Sequence, residues 1–367
     1  MSNKFFLTVT ILFFLLINTF PAIATNDQLT LSEAKKLALE NHPDLENLEV
    51  TKKLAEINEH DAWIAYENAR SNYISRHTIA SLKDAMDAAK SAYDQAQYFN
   101  DDTVVNIEQT KKIIEYSIEK LFINISNLNK DILLFEENIE LQKRLLDIER
   151  KKLELGMNTS LLVEQNNQEL ILMNKQFQTM KNQLREMQWE LNRSIGRDKN
   201  APVVLAPITI EKVTYQSNNK DSFEKAKDAS LSIEQYKRTI ADKNHDIIDK
   251  RETASDKVEK LQYEVKQNQI SIDDKEFSIE KSVIKLRERI DLAQKTLIDT
   301  EKALKISNVD LNNTILQFNL GIIAKINLQT AELANKQSKL ASEKAEYDYY
   351  LVSRELELAE NGMFVNG

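Results

Sequence analysis

The sequence predicts an all-α protein whose long antiparallel coiled-coil helices are laid out as two tandem repeats. Three observations carry that expectation. Only five Gly and four Pro occur in 367 residues, and so few breakers over such a length leave long uninterrupted helices. Apolar residues recur three and four apart along several segments, which is the coiled-coil period. A Leu-Gly break between two helical runs occurs twice, within Leu153–Gly196 and within Leu316–Gly362, the mark of one unit used twice.

The first 24 residues stand apart. Lys4 precedes a mostly apolar run, Phe5–Ile17, and Ala22-Ile23-Ala24 supplies small residues at a cleavage position, the pattern of an export signal. The run is shorter than the ~20 residues that span a bilayer. A cleaved signal is expected, with an uncleaved anchor as the alternative, so the exported chain starts near Thr25. Two repeats, residues 25–199 and 221–367, are expected on either side of a linker, residues 200–220. No cysteine is present, which excludes disulfides and thiol ligands.

Taken in order, Thr30 and Glu33 are spaced as a capping box for a short helix carrying Leu31, Ala34, Leu37 and Ala38. Pro43 ends that helix, because it disfavours helical geometry in the residue before it, and suits the first turn of the next. A helical pattern with Trp63, Tyr66, Tyr73 and Tyr93 then runs to Asn100, where Asp101-Asp102 reads as a turn and Asp102 or Thr103 as the next cap. Beyond it, Ile114, Ile118, Leu121, Ile125, Leu128, Ile132, Phe135 and Ile139 form one heptad stripe, with Leu134, Leu141, Leu145 and Ile148 beside it. Two rows imply more than one neighbouring helix, so self-association is expected. After Gly156 the stripe resumes as Leu170, Met173, Phe177, Met180, Leu184, Met187 and Leu191, and Gly196 ends it. The Met row at this spacing is core packing. In the linker, Val203-Val204-Leu205 is the one stretch of strand character.

The second half repeats the plan. Asp221 to Glu224 read as the cap of a short helix, Phe223–Leu231, and a charged helical run leads to a second acidic turn at Asp273-Asp274. Ile279, Val283, Leu286, Ile290, Ala293, Leu297 and Leu304 then carry the stripe down to Gly321. The two turn glycines are 165 residues apart (321 minus 156) and the two acidic turns 171 (273 minus 102). At both glycines a left-handed residue closes the helix, with Thr159 or Ser160 capping the following helix in the first copy. Both acidic turns are expected to join antiparallel arms, the first pair about 80 Å long.

Several kinds of chemistry are disfavoured. The net charge is −9 and the charges are mixed, whereas nucleic-acid binding wants a clustered basic face. His42, His60, His77 and His245 lie on different segments, and neither His60-Asp61 nor His245-Asp246 has the further ligands a metal needs. With so few glycines no phosphate-binding loop can be assembled. No catalytic residue, cofactor or metal is expected. Glu169 and Glu332, about three turns past the turn glycines, read first as a wet helix face and second as candidates for lining a duct.

In order and layout, four stretches resemble the outer-membrane efflux protein family, the TolC-like exit ducts: LTLSEAKKLALENHPDL, LELGMNTSLLVEQ, FNLGIIAKINLQTAEL and YDYYLVSRELELAENGMF. The resemblance covers nearly all of the chain beyond the leader. It implies a homotrimer whose helices form a hollow cylinder, working with a membrane-fusion-type adaptor protein and an inner-membrane transporter. It also implies that the two turns, Gly156-Met157-Asn158-Thr159 and Gly321-Ile322-Ile323-Ala324, form the cell-facing tip where the adaptor docks. Two departures stand out. Neither acidic turn has room for the membrane strands the family carries there, so a helical barrel without its β-barrel is expected. Leu162 and Asn327 occupy the places where the family has an acidic residue six positions after the turn glycine. The function that the resemblance implies is that of an exported efflux or secretion conduit of the cell envelope, periplasmic or associated with the outer membrane. The alternative is a structural coiled-coil spacer or scaffold of the envelope.

Overall fold

A computed structural model describes residues 28–77, 79–210, 218–250 and 255–365. The expected export signal lies outside them. Among the described residues there are eight helices: α1 (Leu31–Asn41), α2 (Pro43–Ser75), α3 (Ala80–Glu154), α4 (Ser160–Ser194), α5 (Asn219–Asp228), α6 (Leu231–Lys250), α7 (Ser255–Asn319) and α8 (Lys325–Glu360). No strand is assigned among those residues; one isolated parallel bridge joins Leu29 to Leu205.

The local signals in the first repeat act as expected. The Thr30 hydroxyl accepts from the Glu33 N–H at 3.2 Å while the Glu33 carboxylate accepts from the Thr30 N–H at 2.9 Å, so two orphan donors of α1 are satisfied reciprocally. Pro43 opens α2, with the His42 side chain capping it. Leu29 donates to the Val204 carbonyl and accepts from Ala206, which is all that the Val203–Leu205 stretch contributes in extended pairing.

The acidic turns are not turns. Helix α3 continues through Asn100–Thr103, and Asp273-Asp274 lie inside α7. The reversal between α2 and α3 falls instead at Arg76–Ile79. Pairing across the hairpin sets this position. Tyr66 stacks on Tyr93 at 6.2 Å, and Asn100 donates to Glu59 at 2.6 Å. Both pairs centre on Ile79–Ala80, so any other turn would pull them out of register. Asp102 serves as a bridge, accepting from Arg238 and Gln235 of α6. Thr103, expected as a cap, bonds back to the Phe99 carbonyl at 2.7 Å within the helix. In the second repeat Lys243 pairs with Glu264 across α6 and α7, and the reversal between them lies outside the described residues. The short helix of the second repeat starts at Asn219, four residues earlier than expected, because Asn218 rather than Asp221 is its cap.

Helix α3 thus has two partners in succession, α2 along its first half and α4 along its second; α7 does the same with α6 and α8. At the waist between the two arms, α1 packs on the middle of α3 around Ala34, Ala38, Ile118 and Phe122. Helix α5 packs on the middle of α7 around Ala226, Ile279 and Val283. Gly196 and Gly362 take matching places there. Both have positive φ, and a Cβ on Gly196 would meet Asn41 at the end of α1, while one on Gly362 would meet Ala229 just past α5. Towards the glycine turns the α3–α4 core is the predicted stripe, Ile132, Ile139 and Phe177 with Met173, Met180 and Leu184 packed against it.

Candidate functional site

The two glycine turns are built alike. In the first, the Gly156 N–H donates to the Leu153 carbonyl and the Met157 N–H to the Lys152 carbonyl; in the second, Gly321 donates to Phe318 and Ile322 to Gln317. These paired bonds satisfy the last carbonyls of α3 and α7 around a left-handed residue, with φ of +73° at Gly156 and +72° at Gly321. No other atom lies within 4 Å of a Cβ placed at either glycine, so backbone conformation alone demands glycine there. Thr159 caps α4 through its hydroxyl, whereas Ala324 at the head of α8 has no capping side chain. Asn158 is tied back to Glu149 and to the Thr159 N–H.

Both turns hold large apolar side chains in solvent. Leu155 and Met157 are each 73% exposed, and Ile322 is 67% exposed, with Leu161 and Leu320 similar; Ile323 is half-buried. Both tips thus hold apolar side chains that packing within the chain leaves uncovered.

The two candidate duct residues do not share an environment. Glu332 lines a groove between α3 and α8 with Glu136, Glu137, Glu140, Arg144 and Lys336, whereas Glu169 stands exposed on α4 outside that groove. His60 stacks on Trp63 at 6.0 Å. Among the described residues no group of three or more His, Cys, Asp or Glu is placed to hold a metal.

The polar centre that sequence reasoning missed is the waist seam between α3 and α8. Glu119 is 1% exposed; it accepts from Lys35 of α1 at 2.8 Å and from the Tyr350 hydroxyl at 2.6 Å, with Arg354 at 3.6 Å. Next to it, Glu355 accepts from the Tyr116 hydroxyl at 3.4 Å and from Arg289 of α7 at 3.0 Å. Each helix therefore presents a glutamate to the other's tyrosine. Burial pushes the Tyr116 phenol above its ordinary range, and the Glu355 charge adds to this. Burial does the same for Tyr350, reinforced by its hydrogen bond to Glu119. The signal in the sequence was faint: Glu119 abuts the Ile114–Ile118–Leu121 stripe, and Glu355 sits among Leu351, Leu356 and Leu358. Nearer the tips the same seam is held by more exposed pairs, Lys130–Glu343, Asp131–Lys344 and Glu137–Lys336.

This arrangement has counterparts among solved structures. The outer-membrane channel OprN aligns over 90% of this chain and 90% of its own, with a TM-score of 0.62 at 10% identity. The outer membrane protein VceC from Vibrio cholerae aligns over 91% of this chain and 97% of its own, with a TM-score of 0.55 at 12% identity. The CmeC outer membrane channel of Campylobacter jejuni aligns over 91% and 86%, with a TM-score of 0.54 at 13% identity. The chain has the TolC-like fold. The sequence matches no family model and no curated protein, so the likeness rests on the fold. Among the described residues the TolC-like helices occur without strands, and none of those helices is long and apolar enough to cross a membrane.

Proposed function

We propose that the chain is an exported efflux or secretion component, a homotrimeric helical conduit that docks an adaptor protein at its glycine turns and works with an inner-membrane transporter. The observation that carries this reading is the duplicated tip: two turns with the same hydrogen bonds, both holding apolar side chains in solvent. A trimer would present six such turns, Met157-Asn158-Thr159 alternating with Ile322-Ile323-Ala324, and a ring of weak contacts gains by avidity. Residues 25–199 and 221–367 would be the two halves of each subunit's wall, and Glu169 and Glu332 would face the duct. No catalytic step, metal or cofactor enters this reading.

The edges of the subunit support self-association. In the half away from the glycine turns, α3 packs on α2 and α6 on α7, while Asp102 and Arg238 bridge α3 to α6. That order leaves α2 and α7 at the edges. Helix α2 exposes Val50, Leu54, Ile57 and Ile64, and α7 exposes Tyr263, Ile270, Phe277 and Ile284, one every seven residues. Each such side chain gains on the order of 1.5–3 kcal/mol when fully buried. Two unlike edges that meet head to tail close a ring when the rotation from copy to copy closes.

The test pairs sedimentation with transport. The proposal expects a trimer at micromolar concentration, recovery of a co-encoded adaptor by the wild type, and loss of both recovery and toxin resistance in Gly321→Val. A monomer, or equal recovery from wild type and Gly321→Val with no sensitivity in a deletion strain, would leave the structural-spacer reading in its place.

A further inference from the structure

Helix α3 runs without a break from the glycine tip to the α2–α3 turn, so its 75 residues hold these two ends roughly 110 Å apart. The far turn has a chemistry of its own. From Asn68 to Lys83 the chain has no acidic residue, although 58 Asp and Glu occur overall. Within that stretch Arg70 is tied to Glu67 at 3.2 Å. Arg76 and Lys83 are exposed and form no ion pair among the described residues. Ile74 and Ile79, on either side of the reversal, are 62% and 44% exposed, with Tyr73 half-buried beside them.

We propose that the α2–α3 turn is a peripheral contact for an anionic lipid surface, with Ile74 and Ile79 entering the headgroup layer while Arg76 and Lys83 reach phosphates. Charge decides between occupants: the stretch from Asn68 to Lys83 has no carboxylate, so its exposed cations favour an anionic surface. The chemistry agrees: interfacial binding combines buried apolar area with attraction to anionic lipid, and long basic side chains extend their charge to the headgroups while their stems stay apolar. The inference does not rest on the conduit reading. Either can fail alone, because this one is read by vesicle binding and the other by transport.

The test is co-sedimentation of the exported chain with vesicles of phosphatidylglycerol and phosphatidylcholine in equal parts, against vesicles of phosphatidylcholine alone. Wild type is expected to bind the anionic vesicles preferentially and to release them as salt is raised. Arg76→Gln with Lys83→Gln should weaken that binding about fivefold for each charge removed. Ile74→Glu with Ile79→Glu should abolish the preference. Circular dichroism on each variant confirms that the hairpin remains folded. Equal binding to both vesicle types, or folded variants that bind as wild type does, overturns the proposal.

Discussion

The α3–α8 seam is made in two ways along its length. At the waist it is closed by buried Glu119 and Glu355, each accepting hydrogen bonds from more than one helix. Towards the glycine turns the same two helices meet through lysine–carboxylate pairs that are more than a third exposed on at least one side. A buried charge stripped of its partner costs several kcal/mol, whereas an exposed pair contributes little and is screened by salt. The two repeats are therefore joined firmly at the waist and loosely near the tips.

The strongest way to break that contrast is Glu119→Ala. It leaves Lys35 and Arg354 without their buried partner and should lower the unfolding free energy by about 3 kcal/mol, read as a lower urea midpoint. A loss no larger than that of a surface pair would mean that the waist is not the stronger join. Next in size, Gly321→Val or Gly156→Val should cost about 1–2 kcal/mol, because a β-branched residue resists the left-handed conformation. Helix content should stay near wild type, and chemical denaturation checks both.

Alkaline titration sharpens the comparison without mutation. Tyr116 and Tyr350 hold their protons above the ordinary tyrosine range in the folded chain. The folded state binds more protons than the unfolded state there, so their contribution to stability is present below the ordinary tyrosine pKa and lost as pH rises above it. Ultraviolet titration should show part of the 11 tyrosines ionising only as the chain unfolds. Free ionisation of all of them in the folded state would contradict a closed waist. The smallest effect belongs to Lys336→Ala: removing its exposed pair with Glu137 should change stability by less than about 1 kcal/mol and only at low salt. A large, salt-insensitive loss would erase the difference between the two parts of the seam.

What the sequence determined by itself was whatever depends on neighbours within one or two helical turns. The Thr30–Glu33 box, Pro43 at the head of α2, the Thr159 cap and the left-handed glycines at 156 and 321 are local bargains between a side chain and the backbone beside it. They were legible for that reason. The apolar stripes that became the α3–α4 core were legible because their period follows from helix geometry alone. Only the tertiary structure decided where the long hairpins reverse. Asp101-Asp102 looked like a turn because aspartate often caps helices, but the pairing of Tyr66 with Tyr93 and of Glu59 with Asn100 moved the reversal to Arg76–Ile79. Those partners are 27 and 41 residues apart (93 minus 66, 100 minus 59), beyond the reach of any local rule. Glu119 is the same lesson at greater range. Its acid is stable in the interior only because α1 and α8 bring Lys35, Tyr350 and Arg354 to it, from 84 to 235 residues away (119 minus 35, 354 minus 119).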